Sequence, residues 1–334
     1  MAPKVGINGF GRIGRLVFRQ LMEDGDLEVA GINDIAPLDN LAYLLRHDSA
    51  QRPPDVAVTA NGNELRWGDT AVAFSSEHDP GALPWADLGV EVAVEATGLF
   101  RSRDDAAKHL RAGADRVVIT APAKGPDVTI CMGVNHHAFE PAEHRIISNA
   151  SCTTNCLAPV ARVLHDRFGV VRGLLTTVHA YTSSQGIVDQ PASKWRRGRA
   201  GAVNIVPTTT GAAVATAEVI PELEGRLDGL AVRVPVPVGS IIDFVATTQR
   251  SVSVDAVIDA FREAASSGPL EGILGVSDEE LVSSDIVGCR YSALVDAPST
   301  MVLGDNLVKV LAWYDNERGY ARRVADLVGH VARR

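Results

Sequence analysis

The apolar stretch Lys4-Val5-Gly6-Ile7-Asn8 runs straight into Gly9-Phe10-Gly11-Arg12-Ile13-Gly14, after which Leu16, Val17, Leu21 and Met22 recur at helical spacing. A strand that turns through G-x-G-x-x-G into a helix restricts the fold more than any other local pattern in this chain. Its glycines let the backbone approach an anion at the helix start, where the first amides have no partner of their own. With 30 glycines in 334 residues the bare pattern recurs by chance, so its surroundings carry the weight.

Those surroundings are favourable. A second strand, Leu27 to Ile32, ends at Asn33-Asp34, close to the distance of about 20 residues at which a carboxylate meets the adenosine ribose of a bound dinucleotide. Gly9, Gly11 and Gly14 would cradle the pyrophosphate. Asp34 would accept from the ribose hydroxyls and repel a 2′-phosphate, so NAD is expected over NADP. Leu38 to Leu45 fits a helix, and Val56 to Ala60, Glu64 to Trp67 and Ala71 to Phe74 fit short antiparallel strands joined at Asn61-Gly62. Strand Val90 to Glu95, helix Arg103 to Arg111 and strand Arg116 to Thr120 continue the β-α alternation, with Val128 to Met132 and Ile146 to Ser148 as further strands. Thr97, Gly98 and Thr120 stand at strand ends, where a dinucleotide crosses the sheet's carboxyl edge.

The length suits two domains of about 150 residues each, and a formal charge of -9 excludes a general nucleic-acid or membrane-surface binder, which carries a basic face. No apolar run reaches the ~18 residues of a membrane span, and Met1 leads almost directly into the first strand, so a cytoplasmic protein is expected. The four cysteines and nine histidines show no metal-ligand spacing, and His136, His137 and His144 read as solvated loop residues.

Ile146-Ile147-Ser148 precedes Asn149-Ala150-Ser151-Cys152-Thr153-Thr154-Asn155-Cys156, and the apolar spacing that follows is helical. Cys152 therefore falls where a strand becomes a helix, and unpartnered amides there favour a thiolate. A lone cysteine is more often a small core residue, so position alone makes Cys152 a candidate and no more. Beyond it the strands lengthen: Val171 to Tyr181, Leu230 to Val236, Ile241 to Gln249 and Leu307 to Tyr314, with helices Gly211 to Val219 and Val254 to Ala265. Such runs suit a mostly antiparallel sheet. Between them Ser183 to Asn204 has little periodicity and carries Lys194, Arg196, Arg197 and Arg199, a basic cluster that suits an anionic ligand in an acidic chain. Glu317 to Val331 reads as an amphipathic helix. The expected architecture is an α/β Rossmann dinucleotide-binding domain, 1–151 with the C-terminal helix 317–334, plus an α+β catalytic domain, 152–316, with a mostly antiparallel sheet.

Five collinear stretches give the chain a family likeness: Val5 to Arg15, Ser148 to Cys156, His179-Ala180-Tyr181-Thr182, Asn204 to Ala213, and Trp313-Tyr314-Asp315-Asn316-Glu317. Over essentially its whole length it resembles phosphorylating glyceraldehyde-3-phosphate dehydrogenase. The resemblance implies that Cys152 attacks the aldehyde, that His179 acts as base, and that hydride transfer to NAD leaves a thioester which inorganic phosphate cleaves. It also implies a homotetramer with no nucleic-acid or membrane partner. By position it puts Thr182 and Arg233 at the substrate phosphate and Ser151, Arg197, Thr210 and Gly211 around the attacking phosphate, with Thr153 also among the substrate- or phosphate-binding residues. Asn316 falls at the nicotinamide carboxamide, Arg12 and Ile13 at the pyrophosphate, and His78 near the adenine. Val214, Val236, Val238 and Arg318 depart from the family pattern, as does His78. None replaces the nucleophile, the base or a phosphate arginine, although Val236 near Arg233 suggests altered sensitivity to electrophilic inhibitors of Cys152. The alternatives are the same chemistry on erythrose 4-phosphate, and a catalytically idle binding or regulatory copy.

Overall fold

A computed structural model describes residues 2–334; Met1, where the expected first domain begins, lies outside the described residues. The chain forms two compact units. The first takes the described residues up to Ile130, with His136–Ala150 and Ala321–Arg334. Its elements are β1 (Lys4–Asn8), α1 (Arg12–Asp24), β2 (Glu28–Asn33), α2 (Leu38–Arg46), β3 (Val58–Asn61), β4 (Glu64–Trp67), β5 (Thr70–Ser75), α3 (Trp85–Leu88), β6 (Val92–Glu95), α4 (Arg103–Arg111), β7 (Arg116–Ile119), β8 (Val128–Thr129) and β9 (Ile146–Ser148).

These strands make one sheet in the order β3-β4-β5-β2-β1-β6-β7-β9-β8, parallel except for the β3-β4-β5 edge. β1 lies between β2 and β6, so the strand order reverses there and the carboxyl ends open a crevice. Val5, Ile7, Val92, Val94, Val117, Val118 and Ile147 are fully buried, which is why these strands read as continuous apolar runs. Trp85 is buried against the same strands: a Cβ on Gly6 would meet its ring at 2.9 Å, so the glycine makes room for the indole. The expected strand Val128 to Met132 stops at Thr129. The backbone turns at Cys131, whose amide donates to Asn135 Oδ1 at 2.8 Å instead of joining a ladder.

The second unit takes Cys131–Asn135 and Ser151–Tyr320. It contains α5 (Cys152–Phe168), β10 (Val170–Ala180), β11 (Val206–Thr209), α6 (Ala212–Val219), β12 (Leu227–Val234), β13 (Ser240–Thr248), α7 (Val254–Ser266), β14 (Leu274–Ser277), β15 (Ala293–Asp296), β16 (Met301–Leu303) and β17 (Leu307–Tyr314); α8 (Arg318–Ala332) ends the chain. The sheet runs β11-β12-β10-β13-β17-β15-β14, with β16 on β17; only β10 with β12 and β14 with β15 are parallel. Ile242, Phe244, Ala246, Val308 and Val310 alternate onto a face that α5 covers. The opposite face leaves Leu174, Leu230 and Leu303 exposed. Strand β12 begins earlier than the apolar pattern predicts and ends at Val234, because Pro235 has no amide for the ladder. The long loop holds one short 3-10 turn, Trp195–Gly198, and its Trp195 is 89 % exposed.

Candidate active site

Strand β9 ends at Ser148, and two residues later Ala150 adopts a φ of 53°, the only non-glycine residue in the left-handed region among those described. That conformation costs an L-residue about 1 kcal/mol or more and turns the chain sharply. Ser151 then caps α5, its Oγ accepting from Thr154 N at 3.1 Å, so Cys152 opens the helix as the motif predicts.

Strands β10 and β12 pair in parallel with His179 opposite Arg233, so that both side chains project from the same face. His179 Nε2 stands 3.4 Å from Cys152 Sγ. On its other side, His179 Nδ1 lies 2.6 Å from Arg233 Nη1 and 2.7 Å from Ala180 O. A guanidinium can only donate, so in this arrangement Nδ1 accepts and the ring proton sits on Nε2, facing the sulfur. Arg233 Nη1 also donates to Ala180 O at 2.8 Å, which satisfies that carbonyl without the imidazole.

Burial, followed by the charges of Arg233 and Arg197, pushes the His179 pKa down to about 3 and keeps the ring neutral. Burial likewise raises the Cys152 thiol, opposed by Arg233 and by hydrogen bonds from Thr153. This corrects the expectation of a resting thiolate: desolvation outweighs the helix-start amides. Beneath the pair, Tyr314 OH sits 2.9 Å from Thr153 Oγ1 and 2.8 Å from Thr177 Oγ1, with the Tyr314 ring edge-on to His179. Thr153 is 5 % exposed, its hydroxyl shared between Tyr314 and Cys152.

The remaining nominated anion donors belong to the same unit. Arg197 Nε donates to Thr208 Oγ1 at 2.9 Å and Nη2 to Thr209 O at 3.1 Å, fixing the basic loop against β11. Thr210 Oγ1 accepts from Ala212 N at 3.2 Å, and Gly211 stands just before α6. Thr182 Oγ1 bonds Ser184 Oγ at 2.9 Å where the loop begins. Asn316 is buried and its Oδ1 accepts from Gly239 N and Ser240 Oγ, so the amide Nδ2 is its end left to donate. Val236 O accepts from Tyr181 N at 3.1 Å, which ties the departure from the family pattern to the turn after His179.

In the first unit a cavity of about 270 Å³ is bounded by Gly9, Gly11, Asp34, His78 and Thr97 among others, five of the residues nominated from sequence. A Cβ on Gly9, at φ 92°, would strike Thr97 N at 2.6 Å, and one on Gly14 would lie 1.9 Å from Gly9 O. Only glycine permits this close turn. Asp34 Oδ2 accepts from Phe10 N at 2.6 Å and Oδ1 from Ala36 N at 2.9 Å, which aims the carboxylate across the β2 end. No side chain caps α1 at Gly11, and the Arg12 side chain is held by Asp48 at 2.8 Å. These features fit a dinucleotide: an uncapped helix start for its pyrophosphate and a fixed carboxylate for a ribose. Arg12, Ile13, Gly14, Gly98 and Thr120 do not line the cavity; Thr120 Oγ1 donates to Glu95 O at 3.1 Å.

Sequence reasoning missed Tyr314 as a member of the cysteine site, and it missed Leu99 and Phe100 in the cavity wall. A hydroxyl at an inward position of a half-buried strand was the available signal for Tyr314.

Comparison with known proteins agrees with this layout. Residues 3–103 match the family described as glyceraldehyde 3-phosphate dehydrogenase, NAD binding domain, and residues 151–316 match its C-terminal domain. The chain is 52 % identical over 332 residues to a glyceraldehyde-3-phosphate dehydrogenase of Geobacillus stearothermophilus, covering 99 % of each chain. It is 52 % identical over 334 residues to glyceraldehyde-3-phosphate dehydrogenase 1 of Bacillus subtilis, covering 100 % of this chain and 99 % of that one. Identity to the Streptomyces coelicolor enzyme of the same name is 49 % over 332 residues, 99 % of each chain.

Proposed function

Because the chain belongs to the glyceraldehyde-3-phosphate dehydrogenase family, we propose that it oxidises D-glyceraldehyde 3-phosphate to 1,3-bisphosphoglycerate with NAD and inorganic phosphate, through a thioester on Cys152. The observation that carries this reading is the 3.4 Å approach of His179 Nε2 to Cys152 Sγ beside the half-buried Arg233. A sulfur nucleophile that is also a good leaving group suits both halves of the reaction.

Cys152 Sγ adds to the aldehyde carbon, and its proton passes to His179 Nε2 and on to the carbonyl oxygen, which leaves a hemithioacetal and a neutral His179. That step needs Nε2 without its hydrogen. Arg233, drawn toward the substrate's phosphate, releases Nδ1, which then donates to Ala180 O and bares the Nε2 lone pair. The hemithioacetal oxygen gives up its proton to His179 as the carbon loses hydride, leaving the thioester. Bound NAD supplies the acceptor for that hydride. Phosphate held by Ser151, Arg197, Thr210 and Gly211 attacks the carbonyl, the carbon–sulfur bond breaks, and Cys152 is regenerated. Asn316 Nδ2 would donate to the carboxamide of the nicotinamide, and Asp34 would accept from the adenosine ribose.

The assembled protein is a homotetramer in this reading, supported by the exposed Ile187, Val188, Trp195, Val203 and Ile205 of the long loop and by the apolar outer face of the second sheet. Light scattering on a sizing column tests it; a monomer contradicts it. No helix among the described residues is long and apolar enough to cross a membrane, and the reading places the enzyme in the cytoplasm. Altered sensitivity to thiol-directed inhibitors follows from Val236 beside the His179 turn. Equal inactivation rates for the protein and its Val236→Thr variant would remove that idea.

NADH formation from glyceraldehyde 3-phosphate, with and without inorganic phosphate, tests the main reading. Turnover that ignores phosphate contradicts it, and a higher kcat/KM on erythrose 4-phosphate would favour the rival substrate.

A further inference from the structure

Glu95 closes β6 with its side chain 1 % exposed, and no step above uses it. Its Oε2 accepts from Asn8 Nδ2 at 2.7 Å and lies 3.0 Å from His109 Nε2; its Oε1 accepts from Thr97 N at 2.8 Å and stands against Thr97 Oγ1. His109 is fully buried, and its Nδ1 is 3.0 Å from Trp85 Nε1. An indole N–H can only donate, so His109 Nδ1 is an acceptor, the ring is neutral, and its one proton points from Nε2 to Glu95. No lysine or arginine pairs with Glu95 among the described residues.

Three N–H groups that can only donate meet Glu95, the set of partners a carboxylate accepts, with no cation beside it among the described residues. An uncompensated buried charge is costly, and such charges concentrate at functional sites. To an ionised Glu95 the Thr97 hydroxyl gives its proton at Oε1. The Thr97 oxygen takes Leu99 N–H at 3.1 Å on one lone pair, and the other is left for the cavity that Thr97 lines with Gly9 and Asp34.

The geometry points to Glu95 as a positioning residue that sets the polarity of Thr97, so that the dinucleotide meets an acceptor there and not a donor. An acceptor suits a ribose hydroxyl and repels a phosphate oxygen. Trp85 and His109 act behind it, by fixing which nitrogen donates. This rests on the NAD reading of the cavity and adds a specificity element to it.

The test is calorimetric titration of the full chain with NAD, together with KM and kcat for NAD turnover. In Glu95→Gln the amide oxygen faces His109 and Asn8, two donors against the single N–H of Thr97 on the other side, so the amide NH₂ faces Thr97, forfeits the contact with Thr97 N and turns the Thr97 hydroxyl proton into the cavity. NAD binding should weaken about tenfold, the scale of one reversed hydrogen bond, with the larger share of the loss in KM and not in kcat. In the Thr97→Val background Glu95→Gln should add nothing further, whereas a merely structural role would give additive losses. Additivity, or unchanged NAD affinity in Glu95→Gln, overturns the inference. Should Glu95→Gln fail to fold, Thr97→Ser against Thr97→Val decides: Thr97→Ser should bind near wild type and Thr97→Val weaker, and equal affinities overturn it. Failure of the wild-type chain to bind NAD would remove the cavity reading instead.

Discussion

Replacing Arg233 with methionine removes the one cation in contact with His179 while keeping much of the apolar volume. The Cys152–His179 and His179–Arg233 contacts, with the width of an imidazole between them, put the guanidinium within about 8 Å of the sulfur; at an effective dielectric near 20 that is roughly 2 kcal/mol of thiolate stabilisation. Losing it should raise the Cys152 thiol, already above its usual value through burial, by a further unit or so. At pH 8 the thiolate fraction then falls about tenfold or more, and so does the rate of alkylation by iodoacetamide. The assay is that rate against pH, with Cys152→Ser subtracted to remove Cys289, the other thiol that is not buried. Arg233→Lys retains a charge and should keep most of the reactivity. Alkylation of Arg233→Met as fast as wild type at pH 8 would refute the electrostatic reasoning.

Two further outcomes follow from the same residues. Tyr314→Phe takes one hydrogen bond from each of the buried Thr153 and Thr177 hydroxyls, while Thr153 keeps Cys152 and Thr177 keeps Ile241 O at 3.4 Å; chemical denaturation should show a loss of about 1 to 2 kcal/mol, and no loss would contradict it. His179 titrates near 3 in the fold against 6.5 as its ordinary value, so the unfolded chain takes up the proton first and stability drops as pH falls from 6.5 toward 3. Tm measured over that range should fall less steeply in His179→Gln, and parallel curves would contradict the burial of a neutral ring.

Much of the first unit was legible because its strands are buried on both faces and its turn is enforced by glycine: no other residue tolerates Gly14 against Gly9 O. The Cys152 position was legible for a similar local reason, since Ser151 carries the cap that starts the helix. What the sequence could not supply was pairing. His179 is one of nine histidines, and it becomes distinctive only because β10 and β12 pair in a register that sets it opposite Arg233, 54 residues later in the chain. The direction of the Cys152 shift was misread because a helix start is visible in sequence while burial of the thiol is not. Glu95 was passed over as part of an apolar strand, although a carboxylate among Val92, Ala93 and Val94 was itself a signal that partners had to exist.

The central claim, a covalent acyl enzyme on Cys152 that only phosphate discharges efficiently, is tested most directly by a single-turnover burst. Mixed with NAD and glyceraldehyde 3-phosphate in the absence of phosphate, the protein should release about one NADH per chain and then slow sharply, with steady turnover returning when phosphate is added. A burst of the same size in Cys152→Ser, or full-speed turnover with no phosphate present, would contradict the account.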